Sequence, residues 1–310
     1  MLLEVKNLRT YFRTTKGILK AVDDVSFNLD CGEALGIVGE SGCGKTTCAL
    51  SIAKMLPKEG YIEGGEVLLN GKDLARLSEK EIRSHRWKDV SIVFQGAMNA
   101  LNPVMTVGKQ IAEAIELHDK LDKAAAMQKA ADMLELVDIP KDRIDRYPHE
   151  FSGGMKQRVM IAMALACNSK VVIGDEPTTA LDVMIQAQIL ELLEKLRQQM
   201  DMGLILITHD LGVVADVCSR INVMYGGTLV EKGSTDDIFY RTSHPYTAGL
   251  LKSVPNPDKG AKDRLIPIEG TPPDLIKPPT GCPFAARCTY TMKVCVEKRP
   301  PLFKVGEDHE

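Results

Sequence analysis

Leu35-Gly36-Ile37-Val38-Gly39-Glu40-Ser41-Gly42-Cys43-Gly44-Lys45-Thr46-Thr47 is the stretch on which the reading of this chain turns. An apolar run enters a turn holding three glycines, and helical composition begins at Lys45 and continues to about Met55. Strand, glycine-rich turn and helix in that order form a receptor for an anion. The glycines let successive backbone N–H groups curl around a phosphate, and the helix points its positive end at the same place. Gly39 to Thr46 fits the Walker A pattern, in which Lys45 reaches the β- and γ-phosphates and the Thr46 hydroxyl ligates Mg²⁺. Gly39, Ser41, Gly42, Gly44, Lys45, Thr46 and Thr47 are therefore the first candidate nucleotide-binding residues.

Outward from this stretch, Leu3–Leu8 and Ala21–Leu29 alternate apolar and polar residues at the period of half-buried strands. Val67–Leu69 and Val90–Phe94 read as further strands. From Val107 to Val137 the apolar residues recur at helical spacing, and a second helix is expected over Met155–Cys167 behind Ser152 as its cap. Val171-Val172-Ile173-Gly174-Asp175-Glu176 is a buried strand ending in two acids, which delivers them to the carboxyl edge of a sheet. Asp175 there would hold Mg²⁺ through water and Glu176 would polarise an attacking water. A helix over roughly Val183–Gln199 and a strand at Leu204–Ile207 follow. Strand–helix–strand alternation of this kind predicts an α/β fold with a parallel sheet and crossover helices. After about Gly233 the prolines crowd together, which forbids long helices and predicts an irregular C-terminal module.

Composition narrows the function. The 310 residues carry 42 acidic and 39 basic side chains, a net charge of −3, with 5% aromatics, so sequence-general nucleic-acid binding is disfavoured. No apolar run approaches the roughly 20 residues that span a bilayer, and the charged start does not read as a signal peptide. The expectation is a cytosolic chain whose eight cysteines are thiols or metal ligands.

Ser152-Gly153-Gly154-Met155-Lys156-Gln157-Arg158 resembles the signature of ATP-binding cassette (ABC) ATPases, and it precedes the acidic strand as that family requires. Gln95 then resembles the Q-loop glutamine, Ala180-Leu181-Asp182 the D-loop and His209 the switch histidine. Met155 stands where most cassettes carry Gln, as is common in peptide-importer ATPases. The resemblance implies a P-loop, RecA-like core with an antiparallel β-subdomain and a helical subdomain at about 96–168. The ATPase domain would span 1–235 and a C-terminal extension 236–310. It also implies ATP and Mg²⁺ as ligands, Glu176, His209, Gln95 and Lys45 as catalytic, and Thr46, Gln95 and Asp175 around Mg²⁺. Ser152, Gly153 and Gly154 would close over the γ-phosphate of a facing subunit. An aromatic near the N-terminus would stack on adenine; Phe12 is favoured over Tyr11 by its offset from the first strand.

Ser243-His244-Pro245-Tyr246-Thr247, followed by Leu250-Leu251, is similar to the motif found after the cassette in dipeptide, oligopeptide and nickel importer ATPases. Gly270-Thr271-Pro272-Pro273, Gly281-Cys282-Pro283-Phe284 and Leu101-Asn102-Pro103 continue the match, which covers about Val5 to Pro301. The implied protein is a peripheral subunit on the cytoplasmic face of the membrane that powers peptide import. Its partners would be two permeases, a second ABC ATPase as heterodimer or homodimer and, indirectly, an extracytoplasmic peptide-binding protein. A nickel importer and a non-transport ABC ATPase stay open as alternatives. Cys282, Cys288 and Cys295 lie on a proline-rich segment at spacings unlike zinc knuckles. The resemblance implies a [4Fe–4S] site there, whose fourth Cys lies a little beyond the third in related proteins; no Cys follows Cys295 in the sequence given, and three free thiols are the alternative reading.

Overall fold

The computed structural model describes residues 1–94, 96, 100–179, 181–253 and 267–310. Its first strands are β1 (Leu3–Thr14), β2 (Gly17–Leu29) and β3 (Ala34–Val38), after which α1 spans Lys45–Ile52. Then come β4 (Gly60–Leu69), β5 (Lys72–Asp73), α2 (Glu79–Ile82) and β6 (Val90–Val93). Helices α3 (Val107–Asp119), α4 (Lys123–Leu136) and α5 (Gly153–Leu165) lead to β7 (Val171–Asp175), α6 (Val183–Met200) and β8 (Gly203–Thr208). The remainder holds α7 (Leu211–Val217), β9 (Arg220–Tyr225), β10 (Thr228–Ser234), α8 (Thr235–Tyr240), α9 (Pro245–Lys252) and α10 (Lys293–Glu297). No helix among the described residues is long and apolar enough to cross a membrane.

These elements fall into two compact units. The first comprises Met1–Leu3, Leu29–Ala34 and Leu69–Ile207. Within it β7 lies between β6 and β8 and runs parallel to both, pairing Val171 with Val90 and with Gly203. All of β7 and β8 is buried, the condition that makes parallel strands read as continuous apolar runs instead of alternating ones. Helix α6 makes the crossover from β7 to β8, burying Ile189, Leu190, Leu192, Leu193 and Leu196 along one stripe. Helices α3, α4 and α5 pack on one another through Ile111, Ile115, Ala130 and Leu134, all with almost no exposed surface.

The second unit comprises Glu4–Asn28, Leu35–Leu68 and Thr208–Glu310. β1 lies between β2 and β4. The alternation in β1 changes phase, with Leu3 and Val5 buried before Asn7 and Leu8 and Thr10 after it. Asn7 adopts φ 46° and Asp24 of β2 φ 67°, and the Asn7 amide donates to the Asp24 carboxylate at 3.0 Å. This paired irregularity explains why strict alternation in the sequence predicts a strand only to Leu8. In the same unit β9 runs parallel to β3 and antiparallel to β10. The proline-rich segment is irregular as expected: among its described residues beyond 241, helix is confined to the eight residues of α9, the five of α10 and a single 3-10 turn at Ala285–Arg287. It is ordered by side chains nonetheless: Tyr225, Tyr246 and Phe284 pack ring on ring at centroid distances of 4.5 to 5.3 Å and are buried.

Candidate nucleotide-binding and hydrolytic residues

β3 carries the chain to Gly39, and the turn that follows needs glycine for two separate reasons. Gly39 (φ 150°) and Gly44 (φ 108°) lie in the left-handed half of backbone space. Added Cβ atoms would also stand 2.2 Å from the Met224 and Ala21 carbonyl oxygens respectively. Gly44 caps α1 with no side chain, so the first backbone N–H groups of that helix face the turn unscreened. Lys45 is buried, and its ammonium crosses the loop to the carbonyls of Gly39 at 2.6 Å and Glu40 at 3.0 Å. Ser41, Gly42 and Thr46 are exposed, and Thr47 is half-buried behind them. A cradle of N–H groups, one buried cation and two exposed hydroxyls suits an oxyanion. Cys43 and Cys48 are buried beside it, and burial pushes the Cys48 thiol up to about 12, so both stay protonated and unreactive.

Tyr11 and Phe12 stand on β1 of the same unit, on opposite faces because they are consecutive. Phe12 lies against Gly60, where an added Cβ would be 2.8 Å from its ring. The Tyr11 phenol donates to Asp23 at 2.8 Å, and burial first, then that bond, push it up to about 12. His209 is exposed just past β8, and Asp210 after it caps α7 by accepting from Gly212 and Val213.

The other expected residues belong to the first unit. Asp175 is buried at the end of β7. Glu176 follows with φ 49°, a left-handed backbone that costs a non-glycine residue about 1 kcal/mol or more and that clusters at functional sites. Its backbone N–H donates to Ile207 at 2.8 Å, and Thr179 donates to its carboxylate at 3.0 Å. Ser152 is exposed and caps α5, its hydroxyl accepting from Met155 N–H at 3.3 Å. Gly153 and Gly154 form the first turn, and a Cβ on Gly154 would lie 2.7 Å from Ile185. Asp182 caps α6 through Ile185 N–H. Gln95 and Ala180 lie outside the described residues. The structure thus gathers the loop, the two aromatics and His209 in one unit, and Ser152–Gly154, Asp175 and Glu176 in the other.

The iron–sulfur expectation gains no support. Among the described residues no group of three or more His, Cys, Asp or Glu side chains is placed to hold a metal ion. Cys282, Cys288 and Cys295 are half-buried free thiols. Cys282 N–H donates to the Cys295 carbonyl at 2.7 Å, and burial pushes the Cys282 thiol up.

One set of residues escapes the sequence reading. Arg287, between two of these cysteines, makes a two-pronged ion pair with Glu40 of the glycine-rich loop at 2.6 and 2.9 Å. The Tyr246 hydroxyl accepts Glu40 N–H at 2.8 Å. No local pattern links residues 206 and 247 positions apart; only the presence of an acid inside a phosphate loop hints at a cationic partner.

Comparison with known proteins returns two families. The ABC transporter family matches residues 22–179, and the oligopeptide/dipeptide transporter C-terminal region matches residues 230–295. The oligopeptide transport ATP-binding protein OppD of Bacillus subtilis is 53% identical over 311 residues, covering 99% of this chain and 87% of that protein. The dipeptide transport ATP-binding protein DppD of the same organism is 53% identical over 296 residues, covering 94% and 88%. Among solved structures, a dimeric ATP-binding cassette in a post-hydrolysis state with ADP and phosphate bound superposes with a TM-score of 0.67. It is 27% identical and covers 75% of this chain and 98% of that one.

Proposed function

The chain belongs to the ABC transporter family, and from that premise we infer that it is the ATP-hydrolysing subunit driving import of dipeptides or oligopeptides. The observation that carries this reading is the glycine cradle of residues 39–46 with Lys45 buried across it, in a chain whose C-terminal region matches the oligopeptide/dipeptide family. The domain reading follows: 1–235 as the ATPase, about 96–168 as its helical part and 236–310 as the extension.

The chemistry asked of the residues is modest. Bound ATP with Mg²⁺ supplies the anhydride that water cleaves. The backbone of residues 39–46 and Lys45 hold its phosphates; Thr46, Asp175 and Gln95 would hold the metal. Glu176 is the acceptor that orients water, and the left-handed backbone on which it sits fixes where its carboxylate begins. His209, exposed just past β8, takes the switch role that the family resemblance implies. Ser152 presents a helix N-terminus and a hydroxyl, the anion receptor that a facing cassette would receive. Dimerisation with a second cassette, docking on two permeases at the cytoplasmic face of the membrane, and indirect service of a peptide-binding protein complete the proposal.

The test is reconstitution with the two permeases and a second ATPase in vesicles. Peptide-loaded binding protein should stimulate ATP hydrolysis, and Glu176→Gln should lower turnover about 100-fold or more while ATP still binds. Hydrolysis indifferent to peptide would remove the transport reading, and near-normal turnover in the variant would remove Glu176 from its role.

A further inference from the structure

Glu40 is an anomaly in a loop built for anions, since a carboxylate one residue into the turn repels the phosphates that the loop receives. The structure answers with a cation from the other end of the sequence. Arg287 grips both Glu40 oxygens, at 2.6 and 2.9 Å, and its side chain is only 4% exposed. The rest of its guanidinium is committed as well: Nε donates to the Glu269 carbonyl at 2.8 Å, Nη2 to Ile268 at 3.0 Å and Nη1 to the Tyr225 hydroxyl at 3.2 Å. It is therefore aimed by five hydrogen bonds, like an arginine built into a receptor and unlike a surface partner free to swing.

Tyr246 holds the same residue by its backbone. Its hydroxyl accepts Glu40 N–H, and its ring is fully buried against Tyr225 and Phe284. The carbonyl of Glu40 is also one of the two to which Lys45 is bonded. Side chain, amide and carbonyl of one loop residue are thus tied to Arg287, Tyr246 and Lys45 in turn.

We propose that Arg287 and Tyr246 are positioning residues of the nucleotide site: Arg287 neutralises Glu40 and Tyr246 fixes its amide, so ATP affinity depends on the C-terminal module being docked. The inference rests on residues 39–46 being the phosphate loop. It reaches beyond the cassette's own motifs, because the two residues come from the module that matches the oligopeptide/dipeptide C-terminal region.

Calorimetric titration of the full chain with ATP and with ADP tests it. Arg287→Ala should raise the Kd for ATP about tenfold, and that for ADP by less, because the exposed Glu40 charge repels the more highly charged ligand more strongly. Adding Glu40→Gln to Arg287→Ala should restore the affinity to within about twofold of Glu40→Gln alone. A double variant as weak as Arg287→Ala, with ATP and ADP shifted equally, would reduce Arg287 to a packing residue and overturn the proposal. Arg287→Gln covers the case in which the alanine variant does not fold, since its amide nitrogen lies where Nε lay and keeps a donor for the Glu269 carbonyl while losing the charge. Wild-type ATP affinity in that variant, at an unchanged melting temperature, also overturns the proposal. Lys45→Ala separates the two levels: if it leaves ATP binding intact the loop reading fails, whereas Arg287 variants with normal affinity beside a defective Lys45 variant sink this inference alone.

Discussion

The glycine-rich loop at residues 39–46 and the cysteine segment at residues 281–297 are both irregular stretches, yet they are specified in opposite ways. The loop is local. Its path is written in glycines at 39, 42 and 44, each with positive φ, and in a lysine whose ammonium returns to carbonyls five and six residues back. The cysteine segment has little local order. Its chain reversal is closed by Cys282 N–H on the Cys295 carbonyl, at a glycine whose Cβ would lie 2.2 Å from that same oxygen. Its position depends on Phe284 among three aromatic partners and on Arg287 against Glu40. Three cysteines make the segment look organised by sulfur, whereas the structure is anchored by residues between them. Neighbouring residues specify the path of the first stretch, and contacts with residues distant in sequence specify that of the second.

The sharpest test of this contrast is Phe284→Ala, which leaves the loop sequence untouched. Truncating a ring only 3% exposed should cost about 3 kcal/mol or more, read by urea denaturation. An unchanged midpoint would mean that the segment does not fold cooperatively with its unit. Next in size is Lys45→Ala, which removes a charge-assisted contact from a loop whose glycines still define its path. ATP affinity should fall by roughly 2 kcal/mol, about 30-fold, with stability little altered. Large destabilisation instead would show that the lysine, and not the glycines, builds the loop.

The smallest effect expected is on pH dependence. His244 caps α9 by accepting Tyr246 N–H on Nδ1 at 3.1 Å, which requires that nitrogen to be unprotonated. Burial pushes its imidazole down, with Glu231 pulling the other way. A depressed histidine binds protons more readily in the unfolded chain. Its contribution is therefore complete above the ordinary histidine value of about 6.5 and is lost as pH falls through the lower folded value. Between about pH 7.5 and pH 5 the melting temperature of the wild type should fall relative to that of His244→Asn, because asparagine keeps a capping oxygen that does not titrate. Parallel curves would show that the cap's protonation has no bearing on the segment.

Much of the cassette was legible in the sequence because its strands are buried on both faces and its helices carry caps. The parallel strands at 171–175 and 203–208 read as apolar runs, and Ser152 and Asp182 serve as the caps of the helices behind them. The hairpin beyond Leu8 and the antiparallel pair β9–β10 were harder, since Asn7 shifts the phase of one and a register shift between Leu229 and Glu231 breaks the other. Of the candidate site, the glycine-rich loop and the helix caps are written in neighbouring residues and are legible for that reason. Arg287 is not, because its meaning lies in a carboxylate 247 positions away.

Glu176 gives the fold a conflict of interest. Its left-handed backbone is one that glycine adopts freely, so replacing the glutamate with glycine relieves the strain on the sharp turn after β7. The carboxylate proposed to orient water is lost in the same stroke. A laboratory lineage selected for heat resistance alone would drift toward the more durable, idle protein. Retaining glutamate at this position is what a lineage does when it is selected for work.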